Sequence, residues 1–410
     1  MSESSNPAKG SAESGDSSSS VLSGGAGEVG EVGVDGVDGE AESRRTFGEA
    51  VGRLGPAVLG GLDALEKAFR HLHPAHFPEL RAGLTPVRNA LDEARDAFAE
   101  APTPSSLDAF RGHLEESARL AAEALAGLID PGPPEEGVMR AIQSMHQHAR
   151  AQAEIYPLRD VLPPVSAFFA EPRFREGSSD AASDPDSPAS LEAKEGSQER
   201  VGLFRSGEPG ARGGFDLYVP ESYDGSESWP LVVALHGGSG SGADFLWTWL
   251  REARCRRFLL LSPTSRDSTW SLQAPEIDGQ VLRRTVEWVG SKWRVDAEHV
   301  LLTGLSDGAT MTLLVGLAAD SPFTHLAPIS GVLHPMNFAS GNLDRARKMP
   351  IYLVHGALDW LFPVTLAQEA SRVLEDADAA LVYREIEDLS HTYPREENAR
   401  IIEWLVSDSS

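Results

Sequence analysis

The feature that most constrains the fold is a change of hydrophobic period after Arg200. From there on, short apolar runs such as residues 231–235 and 351–354 alternate with segments of helical period. Strands that alternate with helices at this spacing form a mostly parallel sheet with helices on both faces. The sequence therefore predicts an α/β domain over residues 201–410, with its chemistry at the C-terminal ends of the strands.

The individual elements of this domain follow from the same pattern. Strands are predicted at residues 215–220, 231–235, 258–261, 299–303, 326–329, 351–354 and 381–386. Helices are predicted at residues 243–256, 276–293, 306–319, 363–375 and 395–406.

The first half of the chain has a different organisation. Apolar residues spaced three and four apart start at Phe47, Leu80 and Leu107, and a more polar helix covers residues 135–155. This spacing is typical of amphipathic helices. Because the connections are short, the pattern predicts a small all-α bundle over residues 46–156.

Two further segments lack helical or strand periodicity. Residues 1–45 are rich in Gly, Ser, Glu and Asp, a composition that buries too little apolar surface to fold, so a disordered tail is predicted. Residues 157–200 are predicted to form an extended strap as far as Pro172, followed by a flexible linker.

Composition narrows the possible partners and location. The net charge of −26 disfavours nucleic acid and anionic membrane as partners. No apolar run approaches the length of a membrane span, and the start of the chain lacks the pattern of a secretory signal. A single cysteine, Cys255, excludes an intramolecular disulfide, favours a cytoplasmic location and is predicted to be a buried structural thiol.

Six of the twelve histidines fall in the predicted bundle, among them His71, His73, His76, His146 and His148. Residues two apart on a helix point to different sides, and neither cysteines nor clustered carboxylates complete a ligand shell. No metal site is predicted, and these histidines are expected to be solvated or to cap helices.

The motif that indicates chemistry is Gly304-Leu305-Ser306-Asp307-Gly308. A bare G-x-S-x-G has little specificity, but here it lies between a predicted strand and a predicted helix. That context is typical of a nucleophile elbow, in which a strained turn exposes the serine Oγ. Ser306 is therefore the predicted nucleophile.

A glycine-rich turn, residues 236–240 (HGGSG), follows the strand at 231–235. Glycines allow backbone N–H groups to approach a substrate carbonyl and stabilise the negative charge that develops on it. The N–H groups of Gly238 and Asp307 are the predicted oxyanion-hole donors, although such a loop can also be an ordinary flexible connection.

An acid and a base follow the serine in the order expected for this type of site. Asp359 comes just after the strand at 351–354, and His391 comes after the strand at 381–386. His391 is the predicted general base and Asp359 the residue that orients it. Asp388 is an alternative acid, while His355 is expected to be structural.

Residues 201–407 resemble the phospholipase/carboxylesterase group of α/β-hydrolases, which includes acyl-protein thioesterases and polyhydroxybutyrate-depolymerase-like esterases. The resemblance rests on LVVALHGGSGSG, VDAEHVLLTGLSDGAT, PIYLVHGALDWLFPV and LSHTYP. It implies an α/β-hydrolase fold, a Ser306–Asp359–His391 triad, an acyl-enzyme intermediate, and no metal or organic cofactor. Asp307 stands where acyl-protein thioesterases usually have Gln.

The substrate is less constrained than the chemistry. His236, Gly237, Trp270 and Trp360 are candidates to line the pocket, although the tryptophans could equally be packing residues. A compact domain with room for only a small lid suits small or medium acyl esters or thioesters.

Three functional hypotheses remain open from the sequence. The leading one is a serine carboxylic-ester hydrolase, and the second is a serine peptidase or acyl-peptide hydrolase with the same triad. The third is a partner-binding protein whose hydrolase domain is vestigial. The sequence does not indicate which protein, if any, binds the helical half.

Overall fold

A computed structural model describes residues 34–130, 132–133, 136–171, 200–208 and 211–407, with side chains from residue 40 onward. Residues 1–33 of the predicted disordered tail and nearly all of the predicted flexible linker lie outside these residues. The prediction is wrong for residues 34–45, which belong to a helix.

The helical first half is confirmed. Its helices are α1 (Val34–Arg70), α2 (Phe77–Ala99), α3 (Asp108–Ile129), α4 (Gly137–Ile155) and the short α5 (Pro163–Phe168). Buried apolar residues recur along α1 at positions such as Leu54, Val58, Leu62 and Leu65, as the amphipathic period predicts.

The predicted extended strap is wrong. Its residues form a 3-10 helix, Tyr156–Asp160, followed by α5. Proline occupies one of the first two positions in both elements. Its fixed φ suits the first turn of a helix as well as an extended chain, so prolines alone did not distinguish the two.

Two histidines of the helical region have different roles. His73 accepts a hydrogen bond from the Ala75 N–H, 3.2 Å away, and so caps a helical turn as predicted. His148 is buried instead of solvated, with its Nε2 3.1 Å from the Leu62 carbonyl oxygen. Burial lowers the pKa of His148 to about 4.

The second half forms the predicted α/β sheet of eight strands within the described residues. The strands are β1 (Gly202–Ser206), β2 (Phe215–Val219), β3 (Trp229–Leu235), β4 (Leu259–Pro263), β5 (Val295–Leu305), β6 (His325–Ile329), β7 (Pro350–Gly356) and β8 (Ala380–Ile386). Their spatial order is β1-β2-β4-β3-β5-β6-β7-β8, and the pairs from β4 to β8 are parallel. The first two pairings, β1 with β2 and β2 with β4, are antiparallel. Strand β1 was not predicted.

The connecting helices are α6 (Gly242–Phe245), α7 (Leu250–Arg256), α8 (Glu276–Lys292), α9 (Asp307–Gly316), α10 (Met336–Ala339), α11 (Val364–Asp376) and α12 (Glu397–Ser407). The single helix predicted over 243–256 is instead divided into α6, a 3-10 turn and α7. The α/β-hydrolase fold class predicted from the sequence is thus confirmed.

Both faces of the sheet are buried. Val232 and Ala234 of β3 belong to one hydrophobic cluster, whereas the alternate residues Leu231, Val233 and Leu235 belong to another. Successive side chains of a strand point to opposite faces, so the two clusters are the two sides of the sheet. Helices α7 and α12 contribute to the first cluster, and α8, α9 and α11 to the second.

The helical region shares the first of these clusters. Phe47, Leu62 and Tyr156 belong to the same buried cluster as Trp247 and Ile402 of the second half. The described residues from Ser43 onward form one compact unit. The helical and catalytic segments are therefore distinct along the chain, but they are joined by a common core.

Cys255 is buried, as predicted, and forms a small separate cluster with Ala170. Its Sγ accepts a hydrogen bond from the Glu171 N–H, and burial raises the pKa of the thiol to about 12. None of the described helices carries an apolar stretch long enough to cross a bilayer.

Candidate active site

Ser306 lies at a sharp turn between β5 and α9. Its φ of 57° and ψ of −117° are strained for a residue with a side chain. The Ser306 N–H donates to the Ile329 carbonyl on the neighbouring strand β6 at 3.0 Å. A Cβ at Gly308 would stand 2.4 Å from the Leu235 carbonyl oxygen, so the close approach of α9 to β3 requires glycine there.

His391 lies in the loop between β8 and α12, within hydrogen-bond distance of the serine. Its Nε2 is 3.0 Å from Ser306 Oγ, and its Nδ1 is 2.8 Å from Asp359 Oδ2. The ring of Phe362 packs edge-on against the His391 ring, with centroids 5.1 Å apart. The structure therefore brings together the three residues predicted as nucleophile, base and acid.

The Asp359 carboxylate is held by the turn that follows β7. Its side chain is fully buried, and its Oδ1 accepts the N–H groups of Leu361 and Phe362 at 3.0 and 2.7 Å. That leaves Oδ2 to accept from His391, which fixes the orientation of the imidazole. His355 supports the same turn, since its Nε2 lies 2.8 Å from the Phe362 carbonyl oxygen.

Asp388, the alternative acid, points elsewhere. Its Oδ1 accepts a hydrogen bond from Arg70 at 3.0 Å, and its side chain is 63% exposed. The Arg70 guanidinium, through this hydrogen bond, holds the pKa of the Asp388 carboxyl below its usual value.

The two predicted oxyanion donors are neighbours. A Cβ at Gly238 would stand 3.0 Å from Asp307 Oδ2, and one at Gly237 would stand 3.5 Å from Ser306 Cβ. Within the described part of the chain, neither the Gly238 N–H nor the Asp307 N–H meets a protein acceptor. The Asp307 carboxylate accepts from Thr269 Oγ1 at 2.5 Å. Two N–H groups are thus available beside the serine.

His236 and Trp270 support this loop from inside the protein. His236 Nε2 accepts the Ser265 N–H at 3.0 Å, and Trp270 Nε1 donates to the His236 carbonyl oxygen at 2.8 Å. Both residues are buried, and their rings pack with centroids 4.8 Å apart. Burial lowers the pKa of His236 to about 4. Both are therefore placed beneath the loop, not at the surface of the site.

Trp360 differs from Trp270 in being 43% exposed beside the buried Asp359. Leu358 and Leu361 on either side of it are 43% and 49% exposed. Together these three residues form an apolar rim on the turn that carries the acid.

Sequence reasoning missed two supports of the site. Phe362 packs on the base, and Thr269 binds the Asp307 carboxylate. Phe362 lies three residues after Asp359, and this closeness in sequence could have indicated that it supports the site. Nothing near Thr269 in the sequence indicates a partner 38 residues away.

The comparisons with known proteins cover parts of the chain. Residues 278–407 match the family model described as Phospholipase/Carboxylesterase, and this segment contains Ser306, Asp359 and His391. A relative from Aspergillus terreus, a probable feruloyl esterase C, is 26% identical over 157 residues. The match covers 36% of this chain and 55% of the relative, so the chain spans about half the length of that protein.

Solved structures that match part of this chain include a thermostable esterase and the S-formylglutathione hydrolase FrmB from Staphylococcus aureus. The first has a TM-score of 0.43 and 22% identity, covering 51% of this chain and 63% of that one. The second has a TM-score of 0.40 and 16% identity, and the match covers 50% of this chain and 95% of that one. The similarity to the phospholipase/carboxylesterase family model is thus confined to residues 278–407.

Proposed function

We propose that this protein is a serine hydrolase that cleaves carboxylic esters through Ser306, His391 and Asp359. The observation that carries the proposal is the continuous chain of hydrogen bonds from Ser306 Oγ through His391 to Asp359, at 3.0 and 2.8 Å. A nucleophile within reach of a base that is itself oriented by a buried acid is the arrangement that activates serine.

In the proposed first step, Ser306 Oγ attacks the ester carbonyl carbon while His391 Nε2 takes the hydroxyl proton. The carbonyl oxygen becomes an oxyanion and accepts hydrogen bonds from the N–H groups of Gly238 and Asp307. Asp359 stabilises the imidazolium that forms. When the intermediate collapses, His391 returns the proton to the departing alcohol, which leaves an acyl group on Ser306.

In the second step a water molecule takes the place of the alcohol. His391 removes a proton from this water, which attacks the acyl carbon and forms a second oxyanion at the same two N–H groups. Collapse releases the carboxylic acid, and the proton returns to Ser306 Oγ. The bonds broken and formed amount to hydrolysis of one ester by one water.

We infer small or medium acyl esters or thioesters as substrates. The exposed rim formed by Leu358, Trp360 and Leu361 offers an apolar surface next to the acid. The relative named as a probable feruloyl esterase adds aromatic esters to the candidates.

A cytoplasmic location stays a prediction from the single cysteine, and no protein partner is proposed.

The test is steady-state turnover on p-nitrophenyl esters of increasing acyl length, with methyl ferulate, an acyl thioester and an aminoacyl-nitroanilide in the same panel. We expect ester turnover that rises and then falls with chain length. The Ser306→Ala variant should lose about a million-fold in kcat. Turnover of the anilide alone would contradict the ester assignment and favour a peptidase. Ester turnover retained by Ser306→Ala would contradict the proposed nucleophile.

A further inference from the structure

The loop that carries His391 is bonded on both sides of the histidine to the end of helix α1 and the residues just after it. Ser390 Oγ donates to the Leu72 carbonyl oxygen, and Thr392 Oγ1 donates to the Arg70 carbonyl oxygen at 3.2 Å. These bonds join residues more than 300 positions apart in the sequence. The residues on both sides of the proposed base are therefore held by the helical region.

The side chain of Arg70 holds the same loop at two more points. Its Nη2 donates to Asp388 Oδ1 at 3.0 Å, and its Nε donates to Glu396 Oε1 at 2.6 Å. Only 16% of the Arg70 side chain is exposed. A planar guanidinium that bonds two carboxylates restrains both, and here it connects the start of the loop to its end.

One turn earlier on α1, Glu66 extends this connection. Its carboxylate lies 3.1 Å from Arg395 Nη1 and 2.9 Å from Arg251 Nη1. Burial alone would raise the pKa of Glu66, but the charges of Arg395 and Arg251 outweigh it and hold the pKa at about 2. The last two turns of α1 thus bind the loop along its length.

The loop has little ordering of its own. Among the described residues, its backbone bonds before His391 are the Leu389 N–H to the Ile386 carbonyl and the Leu358 N–H of the acid turn to the Leu389 carbonyl. After His391 they are the Thr392 N–H to the Ser390 carbonyl and two bonds that start α12. A general base needs its ring within about 0.5 Å of the productive position. The side-chain bonds to α1 supply restraints that the backbone of the loop does not.

We propose that residues 66–72, the C-terminal end of α1 and the two residues after it, are a positioning element for His391, and that Arg70 is its positioning residue. The inference rests on the proposed function, because it assigns the helical region a role in the same reaction. The Arg70 side chain bonds Asp388 and Glu396, and neither Ser306 nor His391 is among its partners in the described residues. It acts through the loop, so its loss should lower kcat and leave substrate binding largely intact.

The test uses matched variants in the full-length chain. Thr392→Val removes the hydroxyl donor at nearly constant volume, whereas Thr392→Ser keeps it. Arg70→Gln removes the two ion pairs. Its control is Arg159→Gln, because Arg159 is 15% exposed and also joins the two halves, through Glu221 at 3.1 Å. Glu221 follows β2, which stands six strand positions from β8 in the sheet, roughly 29 Å away.

We expect Arg70→Gln and Thr392→Val to lower kcat by about ten- to a hundredfold. Thr392→Ser should restore most of the rate, and KM should change by less than about twofold in each case. Arg159→Gln should keep the wild-type kcat. Backbone amides of residues 387–393 should exchange with deuterium faster in Arg70→Gln than in Arg159→Gln, a readout independent of activity.

Three results would overturn the positioning role: unchanged kcat in both Arg70→Gln and Thr392→Val, an equal loss in Arg159→Gln, or unchanged exchange in residues 387–393. A wild-type chain without ester turnover would instead overturn the proposed function. In that case the exchange measurement alone decides whether α1 orders the loop.

Discussion

Ser306 and His391 are held in place by different means. The turn at Ser306 is fixed by the sheet itself, through the Ile329 carbonyl on β6 and the close approach of Gly308 to Leu235 on β3. The loop at His391 is held by contacts from two other segments. The acid turn bonds it through Asp359 and the Leu358 N–H, and the end of α1 bonds it through hydroxyl bonds and ion pairs.

This difference implies different sensitivities to mutation. The serine turn is packed against backbone atoms, which cannot move aside, so a change there should affect the whole sheet. The histidine loop is held by several polar bonds, so the loss of one should shift the base without unfolding the chain. Mutations at the serine turn should therefore lower the stability of the fold, whereas mutations in the helical region should change the position of the base.

Among variants that keep Ser306, the largest expected effect on kcat distinguishes the two carboxylates near His391. Asp359→Asn should lower kcat by about 10⁴-fold, because the amide favours the wrong tautomer of the imidazole. Asp388→Asn is the matched change in the same region and should cost about tenfold or less, since it weakens only the bond to Arg70. Steady-state kinetics on one p-nitrophenyl ester measures both. A larger loss in Asp388→Asn would reverse the assignment of the acid.

The second effect concerns the rigidity of the serine turn. Gly308→Ala should lower the free energy of unfolding by about 3 kcal/mol or more, because the new methyl meets the Leu235 carbonyl at 2.4 Å. Urea denaturation of purified protein measures this change.

The control for that variant is Gly290→Ala on α8, where a Cβ meets nothing within 4 Å. It should stabilise the chain by about 0.5–1 kcal/mol, as alanine is the better helix former. If both variants were equally stable, the turn would not be packed as described.

The smallest expected effect is a pH dependence of the unfolding free energy, which tests the packing of α1 around His148. His148 bonds the Leu62 carbonyl, and Glu66, Arg251 and Arg395 are nearby. The folded chain keeps His148 neutral down to about pH 4, whereas the unfolded chain binds a proton below about 6.5. Because the unfolded state binds more protons, stability falls as the pH drops through this window.

Between pH 7 and pH 5 this group should remove about 2 kcal/mol of unfolding free energy. His148→Gln keeps a donor for the Leu62 carbonyl but cannot titrate. The unfolding free energy of this variant should therefore fall by about 2 kcal/mol less between pH 7 and pH 5 than that of the wild type. Urea denaturation at the two pH values gives the difference. Parallel pH profiles for the two proteins would show that His148 is not held neutral.

The contrast between Ser306 and His391 also explains what the sequence could predict. The turn at Ser306 is a local pattern, with small residues at fixed positions between a strand and a helix. The acid and base follow strand ends in a fixed order, and such positions are visible without a structure. The seven predicted strands of the sheet and the four long helices follow from hydrophobic period in the same way.

The contacts from α1 to the histidine loop have no local signature. Arg70, Ser390 and Thr392 are ordinary polar residues, and their relation depends on a core that joins both halves of the chain. For the same reason the helical half was predicted as a separate bundle. The region 157–171 was predicted as extended because proline suits both conformations.

The most direct test of the central claim is labelling with a fluorophosphonate probe, followed by peptide mapping. We predict one adduct, on the peptide that contains Ser306. Labelling should be lost in His391→Ala and slowed in Arg70→Gln, but unchanged in Arg159→Gln. An unlabelled wild-type chain beside a labelled control esterase, or an adduct on another residue, would contradict the account.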